Sequence, residues 1–209
     1  YTGGSLALDL PLGLEGRYAF LDRAFYDTGA SFGMSTHLLH LARDLGFGTA
    51  AAYGYLVDWD DAARQGLSSA TIGARIDGSS ALSALDLLYL AEYARQSDHG
   101  DNPQAFALDY IHLVLGAGRG PWALRAGWEL KDGDGVNAVQ TPLGTNHGLN
   151  GFADKLVVTP PEGSHDRFLR LSFDRQRWAW LLAYHDFEAA VGGAPQGTEI
   201  DFQGRFSPT

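Results

Sequence analysis

The sequence predicts an all-β fold, an antiparallel up-and-down transmembrane β-barrel of which this chain forms an incomplete portion. Three observations predict it. Side chains alternate with period two over segments of about 8 to 11 residues, the length a tilted membrane strand needs. The connections alternate between tight turns and long loops, as in a meander whose two ends differ. Aromatic residues, 12% of the chain, fall near strand ends, and 27 glycines punctuate the segments.

Alternation is cleanest in Trp122 to Lys131, where Trp122, Leu124, Ala126, Trp128 and Leu130 oppose Ala123, Arg125, Gly127, Glu129 and Lys131. In Ala51 to Asp60 the odd positions Tyr53, Tyr55, Val57 and Trp59 make an aromatic face against Ala52, Gly54, Leu56 and Asp58. Ala70, Ile72, Ala74 and Ile76 oppose Thr71, Arg75 and Asp77, and Leu169, Leu171 and Phe173 oppose Arg170, Ser172 and Asp174. Near the end Ile200, Phe202 and Phe206 oppose Glu199, Asp201, Gln203 and Arg205. The segments His37 to Asp44, Leu85 to Gln96 and Phe106 to Gly116 carry Leu or Ile on both faces and alternate less well, yet they also read as strands. The count is about eleven strands, where bacterial single-chain barrels close on even numbers.

Tight turns are expected at Leu10 to Gly13, Asp44 to Thr49, Asp77 to Ala84, Gly116 to Pro121 and Asp174 to Arg177. Long loops are expected between them, at Arg23 to Ser35, Asp61 to Ser68, Ser97 to Ala105, Asp132 to Asp166 and Ala189 to Thr198. Trp59 and Trp128 would sit at the loop end, Trp122 and Trp178 at the turn end, and with Trp180 and Tyr184 they would form two membrane girdles. The same alternation with the apolar face turned inward would describe a soluble sandwich or lipocalin-like barrel binding a ligand or carbohydrate, because pattern alone does not orient the faces.

Composition narrows the remaining classes. One domain spanning 1–209 suffices for 209 residues. A formal charge of -10 repels phosphate backbones, so no nucleic-acid partner is expected. The absence of cysteine removes disulfides, thiolate nucleophiles and Cys-ligated metals. Every apolar run is broken well before the ~18 residues of a helical span. The chain starts at Tyr1 without a leader pattern and ends Phe206-Ser207-Pro208-Thr209 without a terminal aromatic residue, so flanking strands are expected to be missing.

Several stretches resemble the alginate-export-type outer-membrane porins in the broad sense of that group. They are Ala52-Tyr53-Gly54-Tyr55-Leu56-Val57-Asp58-Trp59-Asp60-Asp61, Glu92 to Asp98 with Asp101-Asn102-Pro103, Gln140-Thr141-Pro142-Leu143, Gly151 to Lys155 with Thr159-Pro160, and Tyr184-His185-Asp186-Phe187. The resemblance covers most of the chain and implies an outer-membrane channel for passive diffusion or export of small polar solutes or saccharides. Outer-membrane lipid and lipopolysaccharide would be its surroundings. Members of that group are roughly twice this long.

In a barrel the residues opposite the apolar faces line the pore or pair across strands within the wall: Arg75, Arg125, Glu129, Arg170, Asp174, Asp201 and Arg205. The loop 132–166 either folds inward as a constriction or covers the outer mouth. Asp132, Asp134 and Asn137 have the oxygen spacing of a weak calcium loop, and the acidic loops Asp58 to Asp61 and Asp98 to Asp101 could hold bridging divalent cations, although solvated loop acids are the default. No cofactor is called for. Histidines 37, 40, 99, 112, 147, 165 and 185 show no zinc spacing, and neither a Gly-x-Ser-x-Gly elbow nor a phosphate loop occurs, so no enzyme is expected. A hydrolase site assembled between strands, as in an outer-membrane lipase, is the remaining catalytic alternative.

Overall fold

The computed structural model describes residues 1–25, 29–141, 143 and 151–208. Its strands are β1 (Thr2–Leu10), β2 (Leu14–Phe25), β3 (Ser31–Asp44), β4 (Gly48–Val57), β5 (Ser69–Leu82), β6 (Leu85–Asp98), β7 (Ala107–Arg119), β8 (Trp122–Lys131), β9 (Ser164–Arg175), β10 (Trp178–Glu188) and β11 (Pro195–Phe206). They form one sheet in simple sequence order, β1 to β11. Such a meander brings every second connection to the same end.

The connections differ by end as the sequence implies. Only two residues separate β5 from β6, β7 from β8, and β9 from β10, whereas β8 and β9 are joined by the long stretch after Lys131. Several strands are longer than the turn-forming residues suggest. Asp77 to Ala84 was expected to turn, yet β5 runs through Leu82, and the bend is confined to Ser83, at φ 60°, and Ala84. Gly116 to Pro121 likewise narrows to Gly120-Pro121, because Gly116 and Gly118 stay in ladder with Arg125 and Ala123. A side chain at Gly116 would press on the Leu124 carbonyl and the Arg125 stem, so glycine permits the close strand approach. The weakly alternating segments in β3, β6 and β7 are full strands.

Two compact units are resolved. The first comprises Tyr1–Ile76 with Tyr93–Leu108, the second Asp77–Glu92 with Asp109–Thr209. In the first, register places Arg17, His40 and Tyr53 in one cross-strand row and Ala19, Leu38 and Tyr55 in the next, while Tyr18, Leu39 and Gly54 lie on the opposite face. Leu6, Leu8, Leu39 and Ile72 are exposed, as are Leu113, Leu115, Leu124, Leu169, Leu182, Ile200 and Phe202 in the second unit. This distribution is the reverse of a water-soluble domain, whose large apolar side chains lie inside.

On β4 the structure supplies the orientation that alternation left open. Tyr53 and Tyr55, stacked at 4.9 Å between ring centroids, share their face with Arg17 and His40, and the apolar outward side is Ala52, Gly54 and Leu56. Tyr53 leans over Gly73, where any side chain would collide with its ring. Alternation separated the two sides correctly, but small residues rather than aromatics make the exposed side here.

Candidate functional site

The second unit has a polar face whose rows follow from the registers. His112, Glu129, Asp166 and Phe187 form one row; Gly127, Phe168, His185 and Glu199 the next; Arg125, Arg170, Ala183 and Asp201 the third. Glu129 and Lys131 are each 2% exposed, Asp166 and His185 1%, Asp201 6%. So many ionisable groups withdrawn from water persist only if they pair with one another. His185 Nδ1 lies 2.7 Å from Asp166 Oδ2, and its Nε2 lies 3.9 Å from Asp201 Oδ2. Tyr110 donates its hydroxyl to Glu129 at 2.8 Å. The Arg170 guanidinium lies 4.4 Å over the Phe168 ring and has Asp166, Glu129, Asp201 and Arg125 as its charged neighbours.

Arg125 and Arg170 are directly opposed across β8 and β9. Two like charges in that position repel, and the adjacent acids of the neighbouring strands offset the repulsion. Phe168 and Phe187 are the large apolar side chains among these polar rows; Phe168 fits because Gly127 opposite has no side chain to meet its ring, and Phe187 stacks on His185.

The long connection after β8 folds back on this face. Its neck is closed by the Gln140 amide, which donates to the Thr159 carbonyl at 2.8 Å and accepts the Thr159 N–H at 3.1 Å. Further along, the Ala153 N–H donates to Glu199 Oε1 at 2.7 Å and the Phe152 N–H to Asp201 Oδ2 at 3.3 Å. Asp201 pairs with Ala183, the middle residue of β10, so the loop reaches to mid-strand. Part of the expected loop 132–166 is strand, because β9 begins at Ser164; the expectation for Pro142 falls outside the described residues.

Of the sequence-derived pore candidates, Arg125, Glu129, Arg170 and Asp201 come together here. Asp174 and Arg205 lie on the same side nearer the turn end, both in rows with Ala179. Arg75 belongs to the first unit, on the face of Thr71, which accepts a hydrogen bond from Gln96 at 2.9 Å. That unit also presents a concavity of about 580 Å³ lined by Ser5, Ala7, Arg17, Leu38, His40 and Tyr55. His185, Asp166, Lys131 and Glu199 were not singled out from sequence. The available signal was parity: His185 is out of phase with Trp178, Trp180 and Tyr184, though its own set contains Ala179, Leu181 and Ala183.

On the opposite, apolar face, Trp122, Phe173 and Trp180 cluster at the turn end, with Trp122 and Trp180 at 5.2 Å edge-to-face. Trp178 packs on Phe206 at 4.6 Å. Tyr184 is exposed among Leu169 and Ile200. Trp128 lies toward the loop end and donates its indole N–H to His165 at 3.2 Å; beside it Arg167 pairs with Glu188 at 2.8 Å. Trp59 is a correction to the expected girdle. It is buried, bridged to Met34, its backbone N–H held by Ser68 at 2.9 Å and Arg64 stacked over its ring. The Asp58 to Ser68 loop folds on itself, which takes the indole away from the exposed side.

Asp132, Asp134 and Asn137 form a turn. The Asp134 carboxylate accepts the backbone N–H of Asn137 at 2.6 Å and of Val136 at 2.8 Å, and these bonds hold its carboxyl below the usual carboxylate range. Asp132 caps Gly133 N–H at 2.9 Å. Among the described residues no group of three or more acids and histidines is arranged to hold a metal ion.

No family model matches the chain, and no curated protein matches it in sequence. Its structure is similar to OccAB2 of Acinetobacter baumannii, with a TM-score of 0.75 at 14% identity, over 99% of this chain and 57% of that one. It is similar also to the outer membrane protein OpdK of Pseudomonas aeruginosa, at 0.73 and 10% identity over 97% and 58% of the two chains. OpdO of Pseudomonas aeruginosa gives 0.66 at 17% identity, with 97% and 57% covered. The chain thus spans somewhat under three fifths of the length of these structures. Its fold is that of an outer-membrane β-barrel porin over that extent, an antiparallel up-and-down sheet of eleven strands.

Proposed function

We propose that the chain is part of a bacterial outer-membrane channel through which small polar solutes or saccharides pass by diffusion, without catalysis. One observation carries the reading: in the second unit Glu129, Lys131, Asp166, His185 and Asp201 are buried on one side of the sheet while Leu113, Leu115, Leu124, Leu169, Leu182, Ile200 and Phe202 are exposed on the other. In water so large an apolar surface would drive aggregation; in a bilayer it meets acyl chains, and the polar side faces an aqueous lumen. Arg125, Arg170, Glu129 and Asp201 then set the field along the solute path, with the loop tip at Phe152 and Ala153 narrowing it. Asp174, Arg205 and Arg75 would extend that lining toward the turn end and along the first unit. The fold shared with OccAB2 and OpdK supports the reading.

Trp122, Trp178, Trp180 and Tyr184 on the apolar face suit contact with lipid, and Trp128 with Arg167 suits the lipopolysaccharide headgroup level. As a finer proposal, the stretches around Tyr53 to Asp61 and Tyr184 to Phe187 make the chain akin to the alginate-export-type group of porins. The deciding experiment is single-channel conductance of the full-length protein in planar bilayers. Stepwise ionic current is expected, and the double substitution R125E/R170E should shift the reversal potential toward cation preference. Absence of any current from correctly folded protein would overturn the proposal.

A further inference from the structure

The concavity of the first unit differs in chemistry from the paired charges of the second. Two cross-strand rows build it. Ser5, Ala19, Leu38 and Tyr55 make one, and Ala7, Arg17, His40 and Tyr53 make the next. The small side chains of β1 and β2 leave about 580 Å³ open, within the ~300–1,000 Å³ typical of small-ligand sites. Tyr55 lines this space, and its ring is held. It stacks on Tyr53 at 4.9 Å and 18°, and Tyr53 in turn lies over Gly73, where no side chain lifts it from the wall. A ring fixed in this way loses little freedom when a ligand settles on it.

The polar groups are spread around the aromatic rather than gathered at one point: Ser5 comes from β1, Arg17 from β2 and His40 from β3. Arg17 is exposed, and among the described residues no carboxylate lines the concavity, so a cationic solute finds no counter-charge there. Rows on one face of a strand lie about 6.5 to 7 Å apart. A ligand filling the space therefore meets the apolar row of Ala19, Leu38 and Tyr55 and the polar pair Arg17 and His40 at once.

We propose that this concavity is a binding subsite for a neutral saccharide, a hexopyranose lying with its C–H face on Tyr55 and its hydroxyls toward Arg17, His40 and Ser5. A pyranose is amphipathic in the sense these rows require. Its C–H bonds carry slight positive charge and suit the negative face of an aromatic ring, while its hydroxyls surround the edge. The planar guanidinium fork spans two adjacent hydroxyls, and an imidazole nitrogen donates or accepts. An aromatic acid shares the stacking but presents a single charged end, which leaves the spread of polar groups over three strands unused. One aromatic flank gives weak binding, in the millimolar range, and a conducting path needs sites that release what they bind. The proposal names a solute class for the channel and rests on that reading.

Two measurements on the full-length protein test it. Maltose is titrated into the detergent-solubilised protein by calorimetry, with benzoate as competitor, and added to the protein in planar bilayers while ionic current is recorded. Millimolar binding and transient interruptions of current are expected, and equimolar benzoate should not displace the sugar. Tyr55→Phe keeps the ring and should bind nearly as the parent does. Tyr55→Leu and Arg17→Gln, each checked for folding by circular dichroism, should weaken binding on the order of tenfold. Maltose affinity unchanged in both folded variants would overturn the subsite, and displacement by benzoate would overturn the saccharide assignment in favour of an aromatic acid. A conducting channel that gives neither heat nor interruptions with maltose would overturn the subsite and leave the channel standing. Maltose binding with the expected variant pattern, but without ionic current, would overturn the channel reading alone.

Discussion

Gly127 shows how one missing side chain shapes the polar face. Phe168 occupies the space over it, and an added methyl would meet the ring. Gly127→Ala should cost about 1–3 kcal/mol through forced displacement of a packed aromatic, read from the midpoint of urea unfolding in lipid vesicles. Asp134 belongs to the same scale. Its carboxyl is held below the usual range by the N–H of Asn137 and Val136, so the turn is fully supported above the unfolded-state pKa and loses support as pH falls through the lower folded value. Amide exchange at Val136 and Asn137 should quicken as pH drops below about 4, relative to the intrinsic rate, and Asp134→Asn should remove the dependence.

Among the elements, the strands were legible because period two survives wherever a sheet divides two environments. β8 could be read residue by residue and β11 from Glu199 onward, although Pro195 to Thr198, expected in a loop, already pairs with β10; the alternation of turns with loops located the ends. What the pattern lacked was orientation: on β4 it separated an aromatic from a small-residue side without saying which is outward, and neighbouring strands place the tyrosines with Arg17 and His40. Trp59 was misplaced for a related reason, since a loop can fold its aromatic residue inward, as the Ser68 and Arg64 contacts do here. His185 was not assigned to the polar face because nothing local marks it, and its partners come from β9 and β11, distant in sequence. Orientation makes a further test possible. Leu182→Arg, in the row of Leu124, Leu171 and Phe202, should destabilise the folded protein by about 2–4 kcal/mol in vesicles, and Trp128→Arg nearer the loop end by about 0–1 kcal/mol.

For the whole molecule, the decisive contrast is between two kinds of surroundings. An eleven-strand meander that hides Glu129, Lys131, Asp166 and Asp201 while exposing Leu115, Ile72, Ile200 and Phe202 requires a nonpolar solvent on one side. The protein should partition into detergent or membranes, and a monodisperse preparation from the aqueous fraction without detergent would contradict this. On the proposed channel reading, mixed charge along the polar side would give selectivity that responds to ionic strength. Ion preference measured at about 0.1 M salt should therefore flatten toward 1 M, as the screening length shortens from roughly 10 to 3 Å.

The clasp between Gln140 and Thr159 separates the strand ladder from what lies between those residues. A side-chain amide replaces one rung of backbone pairing, so the register of β8 against β9 is settled before the intervening segment begins. If the chain is the conduit proposed above, such a joint would let the insert vary, and with it what is admitted, while the masonry stays untouched.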